Sequence, residues 1–255
     1  ASLDYVTTMH GIWRAGGIAV PLNVASAVAE LEHYLSCASV TRMIANGSYQ
    51  DSLRELCAEM NIELLSVEDV MAEQAGSLPE ILPERRAMML FTSGTTNKPK
   101  GVVSTHKTVQ AQITTLIEAW SWSDADVIPL FLPLHHIHGI INILSCGLWA
   151  GATVHLFAKF DIPKITGKIV DGTYNVFMAV QTIYVKLIQY FDTIDSKQVQ
   201  KICDGFKPMR LNISGSAACP VKLFNQWKEL TGPVLLERYG MTEIGMGLSN
   251  PLDGE

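Results

Sequence analysis

Several things are scarce in this 255-residue sequence. The five cysteines, Cys37, Cys57, Cys146, Cys203 and Cys219, show no Cys-x-x-Cys spacing. That leaves no paired-thiol motif and predicts buried free thiols in a reducing compartment. No apolar run reaches the ~18–20 residues of a membrane span. Positive charge is in short supply, with 19 Lys and Arg against 25 Asp and Glu and a net charge of −6. A general nucleic-acid binder would carry a basic surface, so that class is disfavoured, although a local basic loop can still hold phosphates. There is no internal repeat and no low-complexity tract. There is also no initiator Met and no targeting segment: the chain starts at Ala1-Ser2-Leu3 and stops at Asp253-Gly254-Glu255. Both ends are expected to be truncations.

What is present is a core-forming composition, 48% hydrophobic and 17% charged, which excludes a disordered chain. Helix-like and strand-like segments alternate. Residues 5–15 read as a helix ending at Gly16-Gly17, and Ile18-Ala19-Val20 as a short strand. Residues 26–37 read as a helix with Ser26 at its N-cap. Residues 41–45 and 63–66 are strand-like, with a helix over 51–60 between them and a polar loop over 73–86. Residues 87–91 form an apolar strand. Val109, Ile113, Leu116 and Trp120 then recur at the spacing of one buried helix face. Ile183, Leu187 and Phe191 do the same from Thr182, and so do Leu223, Phe224, Trp227 and Leu230 between Pro220 and Gly232-Pro233. Short strands over 153–157, 176–180, 211–213 and 234–237 separate the helices. The alternation predicts an α/β fold with largely parallel sheets.

The strongest chemical signal is Phe91-Thr92-Ser93-Gly94-Thr95-Thr96-Asn97-Lys98-Pro99-Lys100-Gly101, with four hydroxyls, two lysines and two glycines in eleven residues. Hydroxyls and backbone N–H groups donate to phosphate oxygens, glycine lets the backbone approach, and lysine adds charge. In a Walker loop Gly-Lys-Ser/Thr closes the loop and opens a helix. Here Lys100 precedes Gly101 and Val102-Val103-Ser104 reads as a strand, which disfavours a P-loop ATPase or kinase. Residues 92–101 resemble the signature loop of the adenylate-forming superfamily of acyl-CoA synthetases, luciferases and non-ribosomal peptide adenylation domains. Asn97 departs from the usual glycine. Asparagine tolerates a left-handed backbone better than most residues, so the loop shape is expected to survive.

Three further motifs follow in the family's order. Leu132-Pro133-Leu134-His135-His136-Ile137-His138-Gly139 resembles its second core motif, with His136 on the motif histidine and His135 on the usual aromatic that borders the acyl pocket. Taken alone, His-His-x-His raises zinc, but the spacing matches no common zinc pattern. Ser214-Gly215-Ser216-Ala217 resembles the segment that lines the adenine pocket. Tyr239-Gly240-Met241-Thr242-Glu243 looks like the Tyr-Gly-x-Thr-Glu motif. By that resemblance Tyr239 stacks on adenine, Thr242 reaches a phosphate oxygen and Glu243 helps hold Mg²⁺, a hard cation that takes carboxylate and phosphate oxygens together.

The resemblance covers essentially the whole chain. It implies the layered α/β N-terminal domain of adenylate-forming enzymes, present in part over 1–255, with the small C-terminal domain absent. It implies ATP, Mg²⁺ and coenzyme A as reactants. A carboxylate attacks the α-phosphorus to give an acyl-adenylate and pyrophosphate, and the thiol of coenzyme A then displaces AMP. The implied ATP-binding residues are Thr92, Ser93, Gly94, Thr95, Thr96, Lys100, Gly215, Ser216, Ala217, Tyr239, Gly240, Met241 and Thr242. The implied catalytic set is Lys100, His136, Thr242 and Glu243. The family's ribose-binding aspartate and catalytic lysine fall beyond residue 255, so the chain alone is expected to be nearly inactive in adenylation.

Gln181-Thr182-Ile183-Tyr184-Val185-Lys186-Leu187 and the run Leu236 to Met246 resemble the malonyl/methylmalonyl-CoA synthetase group, called acyl-CoA synthetase family member 3 in animals. Gln181 replaces a proline common there. A dicarboxylate brings a second charged end that needs a cation or donors when buried. Lys186 and Arg210 are the candidate cations, with Ser214 and His136 beside the substrate. By resemblance the location is intracellular and mitochondrial, with the cytoplasm open. Three alternatives stand: a general medium- or long-chain acyl-CoA synthetase, a luciferase-like oxygenase, and a non-catalytic nucleotide-binding fragment.

Overall fold

The computed structural model describes residues 1–74, 76–92 and 98–252. They fall into two compact units, one of residues 2–109 and one running from residue 110 onward together with Ala1.

The first unit opens with α1 (Leu3–Arg14), capped by the Ser2 hydroxyl, which accepts the Tyr5 N–H at 3.2 Å. The next helix, α2 (Val28–Cys37), has Ala27 at its N-cap, not the expected Ser26. Asn23 explains the shift: its side chain accepts the Ala25 N–H and its carbonyl accepts the Ser26 N–H. Those bonds hold Ser26 in a turn, so the helix begins two residues later. The strand expected at 18–20 shrinks to one bridge, Ala19 beside Met88, because Pro21 follows and brings no N–H to the ladder. β1 (Arg42–Ala45) and β2 (Glu63–Ser66) pair in parallel around α3 (Gly47–Glu59), which starts four residues earlier than expected. Leu35, Met43, Leu56, Cys57 and Ile62 form their core. The short α4 (Val67–Ala72) follows, capped by Ser66. β3 (Arg86–Thr92) and β4 (Lys100–Thr105) make an antiparallel hairpin that ends the unit's sheet structure.

The helix α5 (His106–Ala119), which belongs to the second unit from residue 110 on, leads to Trp120, and Ile113, Leu116 and Trp120 are buried at the expected spacing. β5 (Val127–Leu130) pairs in parallel with β6 (Thr153–Leu156). Between them lie a π helix (His138–Ser145) and α6 (Cys146–Ala150). Then come α7 (Ile162–Val170), β7 (Val176–Val180), α8 (Gln181–Phe191), α9 (Ser196–Phe206), β8 (Leu211–Gly215), α10 (Val221–Thr231), β9 (Leu236–Met241) and β10 (Gly245–Ser249). The sheet order is β10-β9-β8-β7, with β7, β8 and β9 parallel and β10 antiparallel on the edge. One face of the sheet is sealed by aromatic edges: Tyr184 and Phe206 each meet Trp227 at 4.8 Å, and Phe177 meets Phe206 at 5.4 Å. The Tyr184 hydroxyl donates to the Ile213 carbonyl at 2.7 Å, so its one polar atom is satisfied inside the core.

The amino ends of these strands are tied by one network around the buried Asp126 carboxylate. Arg210 grips the Asp126 carboxylate with two nitrogens, Nε at 2.7 Å, and donates Nη1 to the Trp120 carbonyl at 2.8 Å. Asn175 donates to Asp126 at 3.0 Å and accepts the Val127 N–H at 2.8 Å. Asp126 is 1% exposed. Burial pushes its carboxyl upward, but the bonds from Arg210, the Ser123 N–H and Asn175 outweigh burial and hold it below its ordinary value. Each Arg210 nitrogen thus makes a scaffold bond, where the sequence reading expected a contact to substrate.

Candidate active site

Parallel strands gather their carboxyl ends at one edge, and α/β proteins bind ligands just outside that edge. Here β7 runs into Gln181, β8 into Ser216-Ala217, and β9 carries Tyr239 to its end. Arg210 precedes β8 and these groups follow it, so a strand of roughly 16 Å separates the scaffold lock from this edge. The Gln181 amide donates to the Ala217 carbonyl, closing the edge between α8 and β8. Ser216 sits at φ 74°, left-handed for a residue with a side chain, so the turn after β8 is held in a costly shape.

β9 alternates: Leu236 and Arg238 are buried, while Tyr239 on the opposite face is 58% exposed. Arg238 is 7% exposed, and among the described residues no carboxylate lies within ion-pair distance of it. Its Nη2 reaches the Ser216 hydroxyl at 3.5 Å, and its Nε–H is buried without a partner. A Cβ on Gly215 would overlap the guanidinium, which accounts for the glycine there. Burial lowers the Arg238 value to about 10, still well above neutrality. The site therefore holds a fixed, desolvated positive charge with donors to spare.

The histidine motif follows β5. His135 and His136 pack ring on ring at 4.2 Å. Burial lowers His135 to about 4, with the neighbouring His136 adding to the effect. His136 is exposed overall, yet the partial cover of its ring lowers it too. His138 is fully enclosed and driven well below the ordinary histidine value, first by burial, then by the charge of Arg238 and by His136. All three rings are thus neutral near pH 7. His136 can donate or accept a hydrogen bond there but offers no full positive charge.

The Tyr-Gly-Met-Thr-Glu run is a hairpin. Tyr239, Gly240 and Met241 end β9, Thr242 to Ile244 turn, and β10 returns. A Cβ on Gly240 would strike the Gly245 carbonyl and Met246, so the motif glycine serves the hairpin crossing. Gln112 of α5 holds the returning strand, accepting the Met246 N–H and donating to its carbonyl at 3.5 Å. This leaves Tyr239 and Glu243 exposed, with Thr242 half-buried between strands. No group of three or more His, Cys, Asp or Glu among the described residues could hold a metal ion. The lone Glu243 carboxylate fits a Mg²⁺ that arrives with phosphate oxygens, not a resident ion.

In the first unit, Thr92 ends β3 opposite Lys100, which opens β4. Ser93, Gly94, Thr95 and Thr96, with Asn97, lie outside the described residues. The exit of the loop is pinned by His33, whose Nε2 lies 2.8 Å from the Pro99 carbonyl, and Lys100 is exposed.

The model for AMP-binding enzymes matches residues 1–255. The chain belongs to the AMP-binding enzyme family. It is 38% identical to the mitochondrial malonate–CoA ligase of Homo sapiens, over 98% of this chain and 46% of the human one. It is 32% identical to a malonate–CoA ligase of Arabidopsis thaliana over 99% of its own length and 45% of that enzyme. Among solved structures, ATP-bound MatB from Rhodopseudomonas palustris is 29% identical and matches the whole chain with a TM-score of 0.87, over 51% of MatB. A malonyl-CoA ligase with methylmalonyl-CoA and AMP bound is 31% identical, with a TM-score of 0.84 and coverage of 100% and 53%. The chain thus spans about half the length of the curated relatives it matches. The fold is that of adenylate-forming enzymes, an α/β fold with mostly parallel strand pairs, as the alternation of segments predicts.

Of the residues singled out in the sequence, the structure places Ser214, Gly215, Ser216, Ala217, Tyr239, Gly240, Met241, Thr242 and Glu243 on β8, β9 and the turns that follow them. Lys186 is on the exposed face of α8 with Thr182, Val185 and Gln189, turned away from buried Ile183, Tyr184 and Leu187. The reach into a pocket expected of Lys186 rests on the resemblance alone. Arg238 was the residue missed. Its signal lay in the strand alternation, where a charge occupies the inward parity set by Leu236.

Proposed function

We propose that the protein is an AMP-forming acid–CoA ligase that activates a small dicarboxylic acid, malonate or methylmalonate, through an acyl-adenylate. The observation that carries the reading is Arg238: a buried cation with no carboxylate partner among the described residues, one strand position from the ring assigned to adenine. A buried charge of this kind calls for an anion, and a second carboxylate meets that need. The curated relatives are malonate–CoA ligases by name, and one structural neighbour holds methylmalonyl-CoA and AMP.

In this reading residues 1–255 are part of the N-terminal AMP-binding domain. Tyr239 stacks on adenine against the backbone of Gly215, Ser216 and Ala217, with Gly240 and Met241 shaping the strand beneath. Thr92, Ser93, Gly94, Thr95, Thr96 and Lys100 hold the phosphates, and Thr242 adds a hydroxyl. Glu243 holds Mg²⁺, which would neutralise phosphate charge when bound with ATP. His136, a neutral ring, orients the reacting carboxylate, and Ser214 lies under the acid. Both reactants are anions, so the residues act by neutralising charge and fixing an in-line approach. The vertebrate relatives are mitochondrial by name, which supports that location here.

The test is coenzyme A-dependent AMP formation by the full-length protein with malonate, methylmalonate, acetate and octanoate. Malonate or methylmalonate is expected to win. Arg238→Met should lower malonate kcat/KM by about 10²-fold or more, the scale of a lost buried charge contact, with little effect on acetate. Preferred turnover of octanoate would sink the dicarboxylate reading and leave an acyl-CoA ligase for apolar acids.

A further inference from the structure

The π helix carries a second buried polar group that the reading above does not use. Ile140, Ile141, Ile143 and Leu144 are buried to within a few per cent, and Asn142 sits among them at 0% exposure. Among the described residues, both atoms of its amide lack a hydrogen-bond partner, as do both ring nitrogens of His138. An apolar residue of the same size would fit such surroundings without that penalty, so a buried unpaired amide points to a partner supplied from outside the chain. The helix type matters. The Cys146 N–H bonds the Ile141 carbonyl five residues back, and the Ser145 hydroxyl caps the Ile140 carbonyl at 2.7 Å. With more than four residues to a turn, positions 138 and 142 fall on one side of the helix. His138 lies within the field of Arg238. Helix parity therefore puts Asn142 on the same side as the His138 ring, which feels the Arg238 charge.

We propose that Asn142 is a specificity-determining residue, donating its amide N–H, beside the His138 ring and Arg238, to the second carboxylate of the acid. This rests on the dicarboxylate reading. The chemistry is one-sided in the right way. A carboxylate brings only acceptors, and the Asn142 amide, a neutral imidazole and the Arg238 Nε–H each bring a donor. A monocarboxylic acid would leave all three unpaired.

Asn142→Leu in the full-length protein separates the readings, because leucine keeps the branched heavy-atom shape of the side chain while removing both unpaired polar atoms. Malonate kcat/KM is expected to fall about tenfold or more while butyrate is unchanged or improved, the asymmetry of a pocket built on hydrogen bonds. The KM for ATP should not move, and the urea midpoint should hold or rise. Should the leucine variant fail to fold, Asn142→Ser, smaller and still polar, is expected to show the same split at reduced size. Equal loss on malonate and butyrate, or an unchanged acid preference with a lowered urea midpoint, would overturn the inference and leave Asn142 a scaffold residue. If the wild-type protein does not prefer malonate to butyrate, the dicarboxylate reading itself fails, and this inference with it.

Discussion

At the scale of single residues, two arginines of one sheet have opposite occupations. Arg210 spends its donors on Asp126 and Trp120 at the amino edge, while Arg238 keeps Nε unpaired. Removing Arg210 leaves the buried Asp126 carboxylate without its cation. Arg210→Met is therefore expected to cost about 1–3 kcal/mol by urea unfolding, with the KM for the acid substrate unchanged in whatever folds. The sequence does not separate the two, because ion-pair partners such as Asp126, 84 positions away, are set only by the fold. The buried histidine gives a pH dependence with a definite sign. Folding depresses His138 well below the ~6.5 of an unfolded histidine, so below that pH the unfolded chain binds a proton that the native state refuses. Stability should be flat above pH 7 and fall by about 1.4 kcal/mol per pH unit beneath 6.5 for this group, with His135 and His136 acting in the same direction. Urea midpoints measured from pH 8 to 5 check it, and His138→Phe should flatten the slope.

At the scale of elements, the motifs were legible where local chemistry fixes them and obscure where packing does. The strands over 87–91 and 102–104 and the helix from about Thr182 follow from apolar spacing, while the antiparallel pairing of β3 with β4 was not foreseen. α7 was missed because Ile162–Val170 is rich in β-branched residues and contains Gly167. It forms because Asp161 caps it and Ile165 and Ile169 are buried, so tertiary packing overrides weak propensity. The strand expected over 234–237 lies two residues later and pairs back through β10, which no alternation had signalled. That hairpin depends on Gln112, whose amide pairs with both backbone groups of Met246. Gln112→Leu should loosen it: loss of about two hydrogen bonds predicts amide exchange over residues 239–246 faster by about tenfold or more. Exchange elsewhere in the second unit should be unchanged, and a uniform increase would count against the clamp.

At the scale of the whole molecule, fold class was the most legible property, because the alternation of segments dictates mostly parallel pairing whichever residues do the chemistry. The Tyr-Gly-Met-Thr-Glu run was legible as a motif, whereas the burial of Arg238 depends on which face of β9 turns inward. The scaffold lock and the candidate site occupy opposite ends of the same strands. That separation has a consequence for change over time. On the proposed function, substitutions at the carboxyl edge would retune which acid is accepted without touching the bonds that hold the sheet together. Such a layout lets a lineage explore new substrates one replacement at a time while its folding stays insured.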